Sequence, residues 1–340
     1  MIDLLVAGAG PAGAATAIRA ALAGLQVVVV EPRRGPIDKA CGEGIAHSAV
    51  RDLAGLGVEP AGRPFLGIRY LDSFGHEVDA LFRDGPGLGV RRTVLQTALS
   101  DRLRELEIPV IPGRVEELGQ FKDRVEAAGI KARYLAAADG LHSPIRRRLG
   151  LEAARAGSAR HGLRRHFPIE PWTDLVEVYW SPIGEAYVTP VADDLVGVAI
   201  LTTERRPYDE LLRAFPALRV RLSGSLRTAG PVLGAGPLRQ RVRRRVSGRV
   251  LLVGDAAGYV DALTGEGIAV ALRTSAELVR CVRADRPLAY ELAWRRASWE
   301  CRLLTGTLLW ARNRPFLAPR IVPLATRLPT TFTNIVNRLT

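Results

Sequence analysis

Apolar residues fall into short unbroken runs near the start of the chain, and these runs predict the first elements. Residues 3–7 predict a buried parallel strand, because residues 4–7 form an unbroken apolar run. The alanine-rich residues 11–24 predict a helix, and residues 26–30, with valine at 27–30, predict a second buried strand. The order strand–helix–strand is typical of an α/β fold with a parallel sheet.

Further along, the hydrophobic pattern changes period. Alternation of apolar and polar residues over 65–82 predicts strands outside the parallel sheet, whereas leucines at helical spacing over 93–107 predict an amphipathic helix. Strands that return the chain to the first sheet are expected near Val110, Val115, Val125 and 134–137.

The second half of the chain predicts another sheet and a helical end. The segments 176–180, 185–189 and 195–200 have the pattern of antiparallel strands. Helix is expected over 207–222 and 266–282, with a strand at 249–253. From 287 onward, a proline-punctuated helical tail mixes apolar residues with arginines.

A glycine-rich motif joins the first predicted strand to the first helix. It reads Gly8-Ala-Gly10-Pro-Ala-Gly13. Glycines at these positions permit a tight turn, close approach of a pyrophosphate and tight helix–strand packing, and the helix N-terminus offers N–H groups to phosphates. Glu31 ends the second strand 18 residues after Gly13, close to the position of a carboxylate that binds ribose hydroxyls.

Two more motifs follow in a fixed order. The stretch 138–146 reads Ala-Asp139-Gly-Leu-His-Ser-Pro-Ile-Arg146, and 250–258 reads Val-Leu-Leu-Val-Gly254-Asp255-Ala-Ala-Gly. One glycine motif alone is weak evidence, because glycine-rich turns are common. All three motifs in this order indicate a chain that wraps around FAD.

The three motifs resemble those of the FAD-dependent aromatic hydroxylases, or group A flavoprotein monooxygenases, and of the related geranylgeranyl reductases and flavin-dependent halogenases. The resemblance covers roughly residues 1–285. It implies an α/β fold of the glutathione-reductase type, with a Rossmann-like FAD-binding domain, an antiparallel substrate sheet and C-terminal helices. The expected division is 1–65, 90–150 and 240–285 for FAD binding, 66–89 and 151–239 for the substrate sheet, and 286–340 for the tail.

The resemblance also implies the residues that contact FAD. Asp255 is expected to bind the ribityl chain, and Arg92 is expected to touch FAD, with Arg91 as the competing choice. The predicted cofactor-binding set is Gly8, Gly10, Ala12, Gly13, Glu31, Pro32, Arg33, Arg92, Asp139, Gly254, Asp255, Gly267 and Ile268.

Two segments resemble parts of the family that lie beside the flavin ring. Residues 263–268 resemble the turn that presents a helix N-terminus to the ring, which implies catalytic roles for Gly265, Glu266 and Gly267. Glu266 is either a general base or significant only through its backbone. The family often has proline where this chain has Ala262. Residues 39–44 resemble the K-x-C-G-x-G stretch of geranylgeranyl reductases, in which Cys41 could donate a proton, sense redox state or merely pack.

Missing motifs rank the possible activities. The chain lacks the W-x-W-x-I-P motif of halogenases, and residues 185–190 keep only the proline of the reductase pattern Y-x-W-x-F-P, with Tyr187 in place of tryptophan. The leading hypothesis is therefore a monooxygenase that hydroxylates an aromatic or polyketide-like molecule through a flavin hydroperoxide. A reductase of prenyl or polyene double bonds ranks second, and a non-catalytic flavin-binding or redox-sensing module third. No second G-x-G-x-x-G is present, so NADH or NADPH is expected to dock transiently.

Composition limits the partners. There are 48 Lys and Arg against 35 Asp and Glu, a net charge of +13, yet no basic stretch is interleaved with aromatics, which argues against nucleic acid. The partner is expected to be an apolar or aromatic small molecule. The basic C-terminal helices are either a cap on the fold or a peripheral membrane contact. Three unpatterned cysteines suggest a cytoplasmic protein without disulfides, and no metal-ligand spacing is present.

Several side chains have two plausible environments. His161 and His166 are expected at a solvated strand edge, with an acid/base role as the alternative. Tyr179, Trp180 and Tyr187 are expected either in the core or in the lining of a substrate pocket.

Overall fold

A computed structural model describes residues 1–154, 159–224 and 229–339. The predicted substrate sheet, 151–239, therefore includes two short segments outside the described residues, and the predicted tail, 286–340, includes one such position.

The strands, in chain order, are β1 Ile2–Ala7, β2 Val27–Glu31, β3 Gly44–Ile45, β4 Arg63–Phe65, β5 Gly67–Asp72, β6 Glu77–Leu81, β7 Gly87–Gly89, β8 Val110–Pro112, β9 Leu118–Gln120, β10 Val125–Ala127, β11 Ile130–Ala137, β12 His161–Phe167, β13 Leu175–Ser181, β14 Gly184–Ala192, β15 Leu195–Thr202, β16 Ala229–Ala235, β17 Val246–Ser247 and β18 Val250–Leu252. The helices are α1 Pro11–Leu22, α2 His47–Ala54, α3 Arg92–Glu105, α4 Pro144–Arg148, α5 Tyr208–Leu212, α6 Pro216–Leu222, α7 Gly267–Arg283, α8 Ala289–Arg312, α9 Ile321–Arg327 and α10 Pro329–Leu339.

The first sheet brings the three sequence motifs to one edge. Its strand order is β17-β18-β11-β1-β2-β8, and β18, β11, β1, β2 and β8 run parallel. Buried aliphatic side chains fill both faces, as a parallel sheet covered by helices requires. Because β1, β11 and β18 are neighbours, the loops that follow them start from the same edge. That edge is where open α/β sheets bind their ligands.

The second sheet has the order β16-β12-β15-β14-β13-β5-β6 and is antiparallel except where β5 joins β13. Side chains alternate between its two faces. One face packs on α5 and α6 through Val198 and Ile200 with Leu211 and Leu218. The other face points toward a cavity. A small third sheet has the order β3-β7-β4, and its strands alternate along the chain with strands of the second sheet.

Two local predictions were wrong. Residues 113–117 are not in a strand, and the strand expected near Val115 lies at β9 instead. Val115 is followed by two glutamates, so residues 115–117 lack the alternation of apolar and polar side chains that is typical of a strand. The helix expected over 207–222 is two helices, because Pro216 cannot continue the first one and begins α6 instead.

Helices α8–α10 form the tail and cover part of both sheets. Helix α8 packs on α7, and α10 packs on the outer strand β6, with Phe332 and Val336 against Val78 and Ala80. Across the ranges that the structure describes, no helix is both long and apolar enough to cross a membrane.

Candidate flavin site and apolar cavity

The glycine-rich loop after β1 is shaped by two close backbone contacts. Gly8 has a φ of +104°, and a Cβ there would lie 2.5 Å from the Ala138 carbonyl oxygen. A Cβ on Gly13 would lie 1.8 Å from the Gly8 carbonyl oxygen. Both positions therefore require glycine for the protein's own packing. The Gln96 side chain of α3 donates to the Ala9 carbonyl oxygen at 2.8 Å and fixes the loop further.

Gly10 differs from its two neighbours in the motif. Its backbone is extended, and a Cβ there would have no protein atom nearer than Arg92 Nη2, at 4.0 Å. The space in front of Gly10 is thus open. Arg92 begins α3, is buried, and its Nη1 has no hydrogen-bond partner in the part of the chain that the structure describes. An open glycine beside an unpaired buried guanidinium fits a phosphate group.

Glu31 lies at the end of β2, against the same loop. Its Oε2 accepts from the Ala9 N–H at 2.8 Å, and its Oε1 accepts from Arg33 Nε at 2.7 Å. Burial alone would raise the pKa of Glu31, but these hydrogen bonds together lower it, so the carboxylate stays ionised. Pro32 is exposed beside it. Binding of a ribose by Glu31 stays a prediction.

The second motif is joined to the third through a buried arginine. Arg146 donates to the Leu141 carbonyl oxygen at 2.9 Å and to the Ala256 carbonyl oxygen at 3.1 Å. Asp139 accepts from the Ile145 N–H at 3.0 Å through Oδ2, while its buried Oδ1 has no hydrogen-bond partner among residues 1–154, 159–224 and 229–339. The unpaired Oδ1 is a second polar atom in this region that needs a ligand or water.

The third motif places Asp255 opposite the 39–44 segment. Gly254 has a φ of +61° and sits so close to the first motif that a Cβ would lie 2.6 Å from the Ala12 Cβ. Asp255 Oδ2 is 3.0 Å from Lys39 Nζ, although 216 residues separate them. Both side chains remain partly exposed, so the Asp255 carboxylate is accessible to a bound hydroxyl.

Side-chain hydrogen bonds restrain residues 263–268, called here the flavin-side turn, next to the position where the family often has proline. The Asp261 carboxylate accepts from the Leu263 N–H at 3.1 Å, and the Tyr187 hydroxyl donates to the Leu263 carbonyl oxygen at 2.7 Å. Thr264 is hydrogen-bonded to Thr305 of α8 at 2.7 Å. These contacts, on either side of Ala262, restrain the turn without a proline ring.

Glu266 is the last residue before α7, and its carboxyl group is buried. Neither carboxyl oxygen has a geometric hydrogen-bond partner among the described residues. Burial raises the pKa of Glu266 to about 7, despite the nearby Cys301 thiol and Arg273, which act to lower it. The group can therefore take up and release a proton near neutral pH. Gly265, with a φ of +73°, and Gly267 flank it.

The 39–44 segment is held in place by a buried chain of polar contacts. Glu43 Oε1 accepts from the Arg92 N–H at 2.9 Å, and Oε2 is 2.7 Å from His166 Nε2. His166 Nδ1 is 2.9 Å from Arg164 Nη1. Because arginine can only donate, Nδ1 accepts, and the proton of a neutral imidazole lies on Nε2, which donates to Glu43.

His166 corrects a prediction. It is buried rather than at a solvated strand edge, because β12 is an inner strand with β15 on one side and β16 on the other. His161, at the start of β12, is half-buried. The sequence around His166 does not predict its contact with Glu43. A signal was present at Glu43, because a carboxylate inside the glycine-rich segment 39–44 needs a polar partner once it is buried.

Cys41 lies at the cavity surface of the same segment. Its sulfur accepts a hydrogen bond from the Glu43 N–H at 3.4 Å. Burial raises the pKa of the Cys41 thiol, although Arg92 acts to lower it. The group therefore stays a neutral thiol, able to give up a proton rather than act as a thiolate nucleophile.

A second buried charge cluster, absent from the sequence prediction, joins α8 to the flavin-side turn. Glu185 is fully buried between Arg160, at 2.6 Å, and Arg312 of α8. Arg160 Nε is also 3.1 Å from the carboxylate of Asp261, which lies two residues before the flavin-side turn. Burial would lower the pKa of Arg160, but the two carboxylates together raise it, so the guanidinium stays charged.

One cavity of about 820 Å³ connects these features. It extends from the glycine-rich loop along the second sheet to the tail helices. Most predicted site residues line it: Gly10, Ala12, Arg33, Cys41, Arg92, Asp139, Gly254, Asp255, Gly265, Glu266, Gly267 and Ile268. The cavity is not lined by Gly8, Gly13, Glu31 or Pro32. The two glycines make the close backbone contacts of the loop, and Glu31 accepts a hydrogen bond from it.

The aromatic residues divide between the two predicted environments. Tyr187 lines the cavity, together with Tyr70. Tyr179 points to the opposite face of the sheet and donates to Glu177 at 2.7 Å. Trp180 packs in the core between the sheet and the tail, against Leu309 and Val322.

Several curated proteins match most of this chain, whereas no protein-family model matches it. A menaquinone reductase from Mycolicibacterium smegmatis is 30% identical over 336 aligned residues, with 86% of this chain and 79% of that protein covered. This chain belongs to the FAD-dependent superfamily of monooxygenases and geranylgeranyl reductases. A digeranylgeranylglycerophospholipid reductase 1 from Methanothermobacter thermautotrophicus is another member, 29% identical over 299 residues that cover 78% of this chain and 73% of that protein.

Solved structures of the superfamily share the fold. The p-nitrophenol 4-monooxygenase PnpA from Pseudomonas putida superimposes with a TM-score of 0.81 at 19% identity, over 99% of this chain and 98% of that chain. The halogenase PltM, solved with phloroglucinol and FAD, gives a TM-score of 0.73 at 19% identity, over 90% and 74%. The predicted Rossmann-like fold is confirmed, and the protein is an FAD-dependent oxidoreductase.

The residues present fit FAD as the cofactor. The open Gly10, the unpaired Arg92 Nη1 and the first helix N-terminus are suited to the pyrophosphate. The accessible Asp255 carboxylate and the unpaired Asp139 oxygen are suited to hydroxyl groups. The N–H groups at the start of α7 are suited to the anionic edge of a reduced flavin ring.

Proposed function

We propose that this oxidoreductase reduces carbon–carbon double bonds in the prenyl chain of an apolar lipid. The observation that carries the proposal is the apolar lining of the cavity. Beyond Cys41 and the flavin-side turn, the cavity is lined by apolar side chains of the second sheet and the tail, including Ile68, Val178, Leu201, Leu308 and Phe332. An apolar lining contributed by both the sheet and the tail suits a hydrocarbon chain more than a compact phenol.

The relatives support the same substrate class. One is named for menaquinone and the other for a digeranylgeranyl phospholipid, and both are named reductases. The K-x-C-G-E-G segment, which the sequence comparison with geranylgeranyl reductases singled out, faces the cavity. Together these observations support the reductase proposal, although the motifs alone favoured the monooxygenase.

The chain's own residues supply a proton and a dry, ordered site. Bound FAD, once reduced by the nicotinamide cofactor, would supply the hydride for one alkene carbon. Cys41, kept as a neutral thiol by burial, donates its proton to the adjoining carbon, and its thiolate takes up a proton from solvent afterwards. Glu43, His166 and Arg164 hold the Cys41 segment against the cavity. The apolar lining excludes water from the reacting atoms.

A nicotinamide cofactor is proposed as the transient reductant of FAD. The sequence holds a single G-x-G-x-x-G motif, which the FAD site uses. NADH or NADPH therefore has no dedicated Rossmann domain in this chain and is proposed to dock briefly at the cavity opening.

A second candidate is the monooxygenase that hydroxylates an aromatic molecule. The observations in its favour are the near-complete superposition on p-nitrophenol 4-monooxygenase and the two tyrosines, Tyr70 and Tyr187, in the cavity lining. An aromatic substrate would stack or pack edge-on against such rings.

An anaerobic experiment separates the candidates. The purified yellow protein is reduced with NADH or NADPH, mixed with a detergent-solubilised geranylgeranyl lipid, and followed by flavin absorbance. The proposal predicts reoxidation without oxygen and a product that gains two hydrogens per double bond. Reoxidation only after an oxygen pulse, with one oxygen atom incorporated into an aromatic substrate, would establish the monooxygenase. If neither NADH nor NADPH bleaches the flavin, the result would favour a redox-sensing module.

A further inference from the structure

Helix α8 carries a row of exposed apolar side chains along its length. Leu292, Trp299, Leu303 and Trp310 are 54, 59, 56 and 54% exposed. Their spacings of seven, four and seven residues place all four within about 40° around the helix axis. The opposite side of the same helix is buried or lines the cavity, for example at Leu304 and Leu308. The row is therefore a coherent surface and not a set of scattered residues.

The cavity opens to the surface in the same part of the molecule. Leu324 and Leu328, at the end of α9, and Ile335 of α10 line the cavity and are also 47, 55 and 43% exposed. An apolar substrate that enters between these residues passes the tail before it reaches the flavin-side turn. The rim of this opening is itself apolar.

Positive charge is concentrated around this surface. Residues 286–340 contain nine arginines and two glutamates, so the tail carries +7 of the total net charge of +13. Arg296, Arg302, Arg314 and Arg320 are exposed. Arg314 lies 5.1 Å from the centroid of the Trp310 ring, which sets a cation directly beside the apolar row.

We propose that the α8 row and the rim of the cavity dock on the anionic surface of a phospholipid membrane, and that the substrate enters from the bilayer. Tryptophan and leucine side chains partition into the interfacial region, while arginines pair with lipid phosphates, so the two features favour the same partner. The route of the substrate rests on the proposed function, whereas membrane docking itself rests on the row and the charge.

Vesicle co-sedimentation of the FAD-loaded full chain tests the docking. Vesicles of phosphatidylcholine alone are compared with vesicles that also contain phosphatidylglycerol, at low and high salt. We expect binding to the anionic vesicles that weakens with salt. The variant Trp299→Ser/Leu303→Ser/Trp310→Ser should bind about tenfold less, with unchanged flavin content and nicotinamide-driven bleaching, because three apolar side chains no longer insert.

A matched control uses exposed apolar residues away from the tail. Leu22→Ser/Phe74→Ser/Val220→Ser changes three residues of comparable or greater exposure and should bind vesicles like the wild type. An equal loss of vesicle binding in both variants would contradict the proposal. Equal binding to vesicles with and without phosphatidylglycerol would contradict it as well. A wild-type dimer that becomes monomeric in the α8 variant, without any effect on vesicle binding, would assign the row to a second copy of the chain instead.

Turnover separates this inference from the proposed function. The α8 variant should lose turnover of a prenyl lipid embedded in anionic vesicles and keep turnover of the same lipid in detergent. If the wild-type protein turns over neither form yet still binds vesicles through α8, the proposed reductase activity fails and the docking surface stands. If the variant loses both forms equally, the row serves the active site and not the membrane.

Discussion

The Nε2 of His166 lies 2.7 Å from the Oε2 of Glu43, although 123 residues separate the two in sequence. Both side chains are buried, and the contact ties the segment that carries Cys41 to an inner strand of the second sheet. The position of the thiol therefore depends on a residue that is far from the flavin motifs.

We expect His166→Ala to destabilise the protein by about 1.5–3 kcal/mol, the usual effect of removing a hydrogen bond to a charged group. The free energy of unfolding from denaturant titration measures this change. His76→Ala is the matched control, because His76 forms a partly exposed pair with Asp72 at 2.9 Å and should cost less than about 1 kcal/mol. Equal losses of unfolding free energy in the two variants would show that the buried Glu43 contact contributes no more to stability than an exposed pair.

Gly10→Val should give folded but largely colourless protein. The Gly10 backbone is extended, so valine is tolerated there, and the added side chain enters the open space proposed for the pyrophosphate. Flavin content is read from absorbance, and folding from circular dichroism. Gly306→Val, at a helical glycine with open space around it, should stay yellow. Full flavin occupancy of Gly10→Val would remove this loop from the FAD site.

Asp255→Ala should weaken FAD binding about tenfold to a hundredfold, because it removes a charge-assisted hydrogen bond worth about 1.5–3 kcal/mol. The dissociation constant of FAD is measured by fluorescence titration. Lys39→Ala tests whether the effect passes through the ion pair at 3.0 Å. If Lys39→Ala weakens binding as much as Asp255→Ala, the carboxylate acts by holding Lys39 and not by binding the ribityl chain.

Cys41→Ser should lower oxygen-independent reduction of a prenyl lipid about 10²–10⁴-fold, the usual contribution of a general acid. Bleaching of the flavin by NADH or NADPH should be unchanged, because that step does not need the thiol. Cys301→Ser, whose sulfur does not line the cavity, should keep full activity. A monooxygenase would instead keep its oxygen-dependent turnover within about tenfold in Cys41→Ser, since it needs no such proton donor.

Glu266 should make stability depend on pH. Its pKa is about 7 in the folded protein against an ordinary 4.5, so folding takes up a proton between these values. Its contribution to stability is therefore present below about pH 4.5 and is lost as pH rises through 7, by at most about 1.4 kcal/mol per pH unit. Glu266→Gln should lack this slope in urea unfolding at several pH values. Glu277→Gln, on the exposed side of α7, should retain it.

The parts of the fold that follow from local chemistry could be predicted from sequence. Gly13 is needed because of its backbone contact with Gly8 within one βα turn, and the apolar run of β1 marks a strand buried on both faces. Asp139 and Asp255 were assigned to the FAD site through the family resemblance, and the structure shows that β11 and β18, which lead into them, are neighbouring parallel strands. The glycine turn and the buried strand needed only local sequence, whereas the two aspartates needed the resemblance.

The remaining features depend on contacts between distant segments. His166 was placed in solvent because nothing near it in sequence shows that β15 and β16 enclose its strand. Glu185 resembled part of an incomplete reductase motif, and only the folded chain shows it between Arg160 and Arg312. The row on α8 was visible as mixed apolar and basic residues, but its direction away from the core was not.

The pairing of β18 with β11 also orders events during synthesis of the chain. β1 and β2 are made first, yet the strand that leads into Asp255 is made only after the whole second sheet. Until then, β10 pairs only with the first part of β11, residues 135–137 have no neighbour where β18 will pair, and the nascent protein presents a short apolar edge that favours misassociation. Capture of FAD must therefore be a late step of maturation, and a shortage of the cofactor would leave behind a nearly folded chain whose last loop remains unanchored.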